Sequence, residues 1–283
     1  ALIGGAAWDM TRDGEMPTSD YLAMVNKTDL LAMEIGVVQQ ILLQARSAIE
    51  QFGHPTKRAA NRDELIATLS SALAQTEPGS DHQLAFVRNI SALARTDEHI
   101  ALVKSWLDGS GTPPGVAVDT DLRWSFVARL VALGAIPATA IEEELARDNT
   151  AGGQRQAVSA RSGIPTAEAK SAAWSAAVEN DDLANALLNS TVGGFAQPDQ
   201  RELLAPFVDK YFAVLESIWE TRTNETAQTI TMGLFPSLLG SPEILAKSDA
   251  FISTSKDVGA TRLIRELRDN VARSLRCQAR DLS

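Results

Sequence analysis

IGVVQQILLQARSAIEQF, Ile35 to Phe52, is the stretch that decides the fold class. At about 100° per residue, Ile35, Val38, Leu42, Ala45, Ile49 and Phe52 project within about a third of a turn, while Gln39, Gln44 and Arg46 lie elsewhere. A stripe of this width needs a partner helix to cover it. The same periodicity recurs along the chain, punctuated by start and stop signals. Ser80-Asp81-His82-Gln83 and Thr139-Ala140-Ile141-Glu142 have the capping-box form, in which the first side chain satisfies an amide and the fourth reaches back. Ser241-Pro242-Glu243 places proline at a first helical position, where its missing N–H costs nothing. Gly53, Gly109, Gly134 and Gly163 each follow an apolar-periodic run, where a left-handed residue can close a helix. Period-two alternation is nearly absent, and Gly115-Val116-Ala117-Val118 is too short to found a sheet. The expected class is all-α, with about a dozen helices of roughly 10 to 18 residues.

With 283 residues, 45% of them apolar, the chain has enough material for a sizeable core. A single domain over 1–283 is expected, with a sub-block boundary near 109–118 in the loop Asp108-Gly-Ser-Gly-Thr-Pro-Pro-Gly115. That loop lacks the Gly-Lys-Ser/Thr ending of a phosphate-binding loop and reads as a connector. Gly134-Ala135-Ile136-Pro137 is echoed by Gly163-Ile164-Pro165 about one helix pair later, a spacing that suits a solenoid of helical hairpins. The opening ALIGGAAWDM is helix-like but has no capping residue before it. The start is therefore expected to be cut from a longer helix, and the chain to be a fragment of a longer one.

The 26 basic and 36 acidic residues give a net charge of −10, which opposes a broad nucleic-acid or anionic-membrane surface. No apolar run approaches the roughly 20 residues of a membrane span, and no signal-peptide pattern is present. A soluble cytoplasmic protein is expected, with neither nucleic acid nor membrane as partner. Cys277 is the only cysteine, so an intramolecular disulfide is impossible, and it reads as a bystander thiol near a helix end.

Chemistry-bearing patterns are sparse. His54, His82 and His99 are the only histidines, and none has the spacing of a zinc-protease pair. Asp97-Glu98-His99 fits a solvated first helical turn better than a ligand set, because adjacent helical residues point about 100° apart. Glu142-Glu143-Glu144 and Asp181-Asp182 are read as first-turn carboxylates in the same way. There is no Gly-x-Ser-x-Gly elbow. No catalytic and no metal-binding residue is assigned. Trp8, Trp106, Trp124, Trp174 and Trp219 read as core anchors. One feature stands apart: Arg262, Arg265, Arg273, Arg276 and Arg280 project within about 80° on the last helix, opposite Leu263, Ile264, Leu267, Val271 and Leu275. This basic face either carries local ion pairs such as Arg262 with Glu266, or docks on an acidic neighbour or a carboxylate.

Several phrases, in order along almost the whole chain, resemble the C-terminal helical domain of the aminopeptidase N family of zinc metallopeptidases, most closely its actinobacterial members. They are Trp8-Asp9-Met10-Thr11-Arg12-Asp13-Gly14-Glu15, Asp121-Leu122-Arg123-Trp124, the run Glu144 to Gly152, and Ala169-Lys170 leading to Trp174. Gly194-Phe195, Tyr211-Phe212 with Ile218-Trp219, and Leu234-Phe235-Pro236 continue the series. The resemblance implies an α-superhelical array of HEAT-like hairpins packed on a thermolysin-like catalytic domain of the same polypeptide. It implies that the zinc-binding His-Glu-x-x-His and amine-gripping Gly-x-Met-Glu-Asn segments lie upstream; neither occurs here, so no catalytic position is carried over and zinc belongs to the parent enzyme alone. The parent would remove N-terminal residues from peptides, and this domain would cap the active site and shape the cavity for the peptide substrate. On that view Arg262, Arg265, Arg273, Arg276 and Arg280 are substrate or interdomain contacts. The alternative is a free-standing helical-repeat scaffold for protein interaction.

Overall fold

The computed structural model describes residues 2–282, with the side chains of residues 2 and 3 outside the description. The expected cut at Ala1, and the apolar contribution of Leu2 and Ile3 to the opening helix, fall outside the described residues. Every regular element among them is helical, sixteen α-helices with short 3-10 and π turns, which makes the chain all-α. The count exceeds the expected dozen because several helices span only four to ten residues, such as Arg201–Leu204.

Contacts divide the chain into two units, residues 1–126 with 273–283, and residues 127–272. The first holds α1 (Leu2–Arg12), α2 (Thr18–Asn26), α3 (Ile35–Ser47), α4 (Arg58–Leu73), α5 (Asp81–Leu93), α6 (Asp97–Asp108) and the start of α7 (Thr120–Ala132). The second holds the rest of α7 and α8 (Thr139–Arg147), α9 (Ala151–Ser162), α10 (Ala167–Val178), α11 (Asn185–Phe195), α12 (Arg201–Leu204), α13 (Phe207–Thr221), α14 (Asn224–Gly233) and α15 (Pro242–Thr254). The last helix, α16 (Val258–Leu282), gives its first part to the second unit and its residues from Arg273 to the first.

In the first unit the Ile35 to Phe52 stripe forms as α3 followed by a π turn over Ala48–Phe52. Val38, Leu42, Ala45, Ile49 and Phe52 are buried and Ile35 lies at the margin. Burial of the larger of these side chains, each worth about 1.5–3 kcal/mol, adds to the cap supplied by Glu34, whose carboxylate accepts the Gly36 and Val37 amides at 3.0 and 3.3 Å. Trp106 and Phe126 pack at 5.9 Å between ring centres, and half-buried Trp8 lies against Tyr21 at 5.5 Å and Phe52 at 5.7 Å. The loop before α7 is fixed against the α4–α5 turn: Gln83 Nε2 donates to the Pro114 carbonyl at 3.0 Å, and a Cβ on Gly115, at φ +91°, would meet Gly79 N at 2.5 Å. Only glycine fits there.

The same unit is closed by the last turn of α16. Asp281, fully buried, accepts the Ser19 N–H at 2.7 Å and the His54 N–H at 2.9 Å, while Lys57 Nζ bonds the Asp281 carbonyl. Ser274 and Gln278 both donate to the Gln51 carbonyl.

In the second unit Trp174 packs on Phe207 at 5.3 Å and on Phe195 at 6.4 Å. Helices α9 and α11 approach so closely that a Cβ on Gly194 would fall 1.9 Å from the Ser159 carbonyl oxygen. The two echoing segments stand side by side: the Cβ position of Gly134 is 3.7 Å from Pro165, and buried Gln200 donates to both the Ala132 and Gly163 carbonyls at 2.8 Å. Arg222 caps the end of α10, donating to the Val178 carbonyl at 2.7 Å and the Asn180 carbonyl at 3.0 Å.

Local expectations met the chain unevenly. Ser80 and Ser241 cap as expected, accepting the Gln83 and Ile244 amides, and Gln83 Oε1 reaches back one residue further, to Gly79 N. Thr139 does not cap. Ala138 is already helical and the Pro137 and Ala138 carbonyls take the first amides, so the helix starts one residue earlier and Glu142 is left to pair with Arg161. Gly109 and Gly134 are left-handed stops at φ +84° and +67°, but Gly53 and Gly163 stay at φ −71° and −83°. Of the acidic runs, Glu144 is buried in α8, and Asp181 with Asp182 lies in the turn after α10, where Asp181 pairs with Arg222 at 2.5 Å.

Candidate functional site

The arginines of α16 follow from its sequence pattern. Leu263, Ile264 and Val271 are buried, which turns the opposite face outward. In the second unit Arg262 and Arg265 are exposed and hold no ion pair among the described residues, so the expected pairing of Arg262 with Glu266 does not form. Arg268, on another face, instead grips Asp249 through two bonds at 2.9 and 3.0 Å. In the first unit the α1–α2 loop lies against the helix. Gly14, at φ +77°, has its Cβ position 3.6 Å from Arg276 Cβ. Half-buried Arg273 points Nε at Asp13 Oδ1 over 3.8 Å, and Arg280 Nε donates to the Glu15 carbonyl at 3.4 Å. Arg276 is exposed without an ion pair among the described residues. The five predicted residues thus divide into Arg262 and Arg265 in one unit and Arg273, Arg276 and Arg280 in the other. Guanidinium stays charged at any working pH, so this face can bind a carboxylate or phosphate but cannot transfer a proton.

The one strongly perturbed amine is Lys170, which the sequence reading passed over as part of a phrase. Fully buried on α10, its Nζ donates to the Ser162 and Phe195 carbonyls at 2.7 Å each and sits 5.5 Å from the Phe195 ring centre. Those carbonyls end α9 and α11, where the helix dipoles favour a cation. Burial pulls the ammonium down from 10.5 to about 8. A near-neutral amine suggests a nucleophile, but with no exposed surface and two carbonyls occupying it, Lys170 acts as a tie between two helix ends. The signal was present: Lys170 shares a face with Ala173, Trp174 and Ala177, all apolar and all buried.

The histidines serve separate local tasks. His54 Nδ1 contacts Thr56 Oγ1 at 2.8 Å, His82 Nε2 contacts the Met33 carbonyl at 2.9 Å, and the backbone amide of His99 donates to the capping Thr96 Oγ1 at 3.3 Å. Among the described residues no three His, Cys, Asp or Glu side chains converge as metal ligands. Cys277 is buried with Sγ 3.2 Å from the Thr11 carbonyl oxygen, and burial pushes the thiol up. Such a thiol is inert.

Comparison with known proteins completes the picture. The model of the ERAP1-like C-terminal domain matches residues 1–273. Aminopeptidase N of Streptomyces lividans is 44% identical over 282 residues, which covers 99% of this chain. The chain spans 33% of the length of that curated relative.

Proposed function

The chain belongs to the ERAP1-like C-terminal domain family, and from that premise we propose that it is the C-terminal helical domain of a zinc aminopeptidase that removes N-terminal residues from peptides. The observation that carries this reading is the 44% identity over 99% of the chain to one third of an aminopeptidase N. Its partners are then the catalytic domain of the same polypeptide and the peptide substrate, and its setting is the cytoplasm. No helix among the described residues is long and apolar enough to cross a membrane. On this reading the zinc belongs to the catalytic domain, as the likeness to an aminopeptidase N suggests.

This domain's share of the work is geometric. Stacked HEAT-like hairpins form a superhelical cap over the active site and bound the cavity that receives the peptide. The side-by-side placement of the Gly134 and Gly163 segments supports hairpin stacking within the second unit. Arg262, Arg265, Arg273, Arg276 and Arg280 supply fixed positive charge, either to the catalytic domain or to the far carboxylate of the peptide.

The test uses the complete enzyme with Arg273→Ala and Arg276→Ala combined, measuring kcat/KM on an aminoacyl reporter and on peptides of increasing length. Losing a charge-assisted contact worth about 1.5–3 kcal/mol lowers kcat/KM roughly 10- to 100-fold on the peptides that reach the arginines and leaves the reporter unchanged. Equal rates at every length reject the substrate role.

A further inference from the structure

A second cationic feature lies in the first unit, between α3 and α5. A cleft of about 240 Å³ is lined by Gln39, Leu43, Arg46 and Asp81, and by Leu84 and Arg88 with their neighbours Ala85 and Asn89. Arg46 and Arg88 hold no ion pair among the described residues. Glu50, one turn on from Arg46, acts on that guanidinium through its charge against the effect of burial, but its close ion pairs are with Arg62 at 2.8 Å and Arg95 at 3.5 Å. Two guanidiniums, Arg46 and Arg88, therefore line the cleft with a single carboxylate, Asp81, in a protein whose net charge is −10. The apolar side of the cleft is equally unusual: Leu43 is 57% exposed, one of the few large apolar side chains left open to solvent.

We infer that this cleft binds a small carboxylate with an apolar tail, the carboxylate held between Arg46 and Arg88 and the tail resting on Leu43 and Leu84. Guanidinium matches a carboxylate through paired N–H bonds, and the Gln39 amide adds an uncharged donor at the rim. The volume falls below the roughly 300–1,000 Å³ of pockets for drug-sized ligands, which limits the occupant to a short chain. Asp81 on the same wall selects against a second negative charge, so a dianionic phosphate fits worse than a monoanionic carboxylate.

Isothermal titration of the full chain with hexanoate, acetate and inorganic phosphate tests this. Hexanoate should bind more tightly than acetate or phosphate. Arg46→Gln or Arg88→Gln should weaken it about tenfold or more, with Arg88→Lys restoring only part. Arg155→Gln, an exposed arginine of the second unit, serves as the control and should leave binding unchanged. Two-dimensional NMR of the arginine and glutamine side-chain N–H groups localises the effect and verifies that each variant is folded. Absence of hexanoate binding, phosphate binding more tightly than hexanoate, or full affinity in a folded Arg88→Gln variant each overturns the inference.

Discussion

Replacing Lys170 with methionine gives the sharpest test of the second unit's interior. With the ammonium near 8 in the folded chain and 10.5 when unfolded, the folded chain sheds its proton first as pH rises. Across that window the unfolded chain holds more protons, so stability climbs with pH, by about 3 kcal/mol over the whole span from about 8 to 10.5. Between about pH 7 and about pH 9.5 the gain amounts to about 2 kcal/mol. Above about pH 10 the buried phenols of Tyr21, held near 12, and Tyr211, also raised, act in the opposite sense because only the unfolded chain ionises them. Lys170→Met keeps the length of the side chain and removes its charge. It leaves the Ser162 and Phe195 carbonyls without a donor, at about 1–3 kcal/mol each, against relief of the burial penalty. The informative quantity is therefore the slope. Urea midpoints read by circular dichroism at several pH values should rise in the parent chain and flatten in the variant. Equal slopes in the two proteins refute the assignment of the pH dependence to this amine.

Other perturbations probe the remaining contacts. Asp281→Asn should cost about 3 kcal/mol of the first unit's stability, read from chemical unfolding, since the bonds to Ser19 and His54 lose their charge and Lys57 loses its neighbour. Gly194→Ala, whose new methyl meets the Ser159 carbonyl, should lower stability by about 3 kcal/mol or more. The adjacent Gly193→Ala, with nothing within 4 Å, should change it by about 1 kcal/mol or less, and toward greater stability. Cys277 should resist a disulfide reagent in the native chain at mildly alkaline pH and react at once in denaturant, because burial both hides the sulfur and disfavours its thiolate.

Periodicity made the all-α class legible, because the Val38, Leu42, Ala45, Ile49 pattern depends only on which residues dislike water. Caps were partly legible. Ser80 and Ser241 act locally, whereas Thr139 lost its role to a proline-led backbone turn that no spacing rule contains. Gly109 and Gly163 look alike in sequence, yet only the first is left-handed; Gly163 stays helical and its carbonyl accepts Gln200 from thirty-seven residues away. The outward face of α16 was readable from helix geometry, but the Asp13 to Glu15 loop lying on Arg273 and Arg280 was not: that contact joins residues more than 250 apart. Lys170 was missed for the same reason. The apolar face it shares with Ala173, Trp174 and Ala177 marks it for burial, but its partners end two other helices and no local pattern names them.

The order of synthesis gives the last turn of α16 a kinetic meaning. The ribosome finishes residue 126 roughly 150 residues before it reaches Arg273, a delay on the order of ten seconds. Until then the backbone amides of Ser19 and His54 and the Gln51 carbonyl wait without their partners, while the intervening unit is itself being made up to its last residue, 272. The two units are thus completed almost together, and the earlier-made half matures only after a long loop has been closed at an entropic cost that grows with its length. A stalled or truncated nascent chain would expose the earlier half to chaperones and proteases throughout that interval.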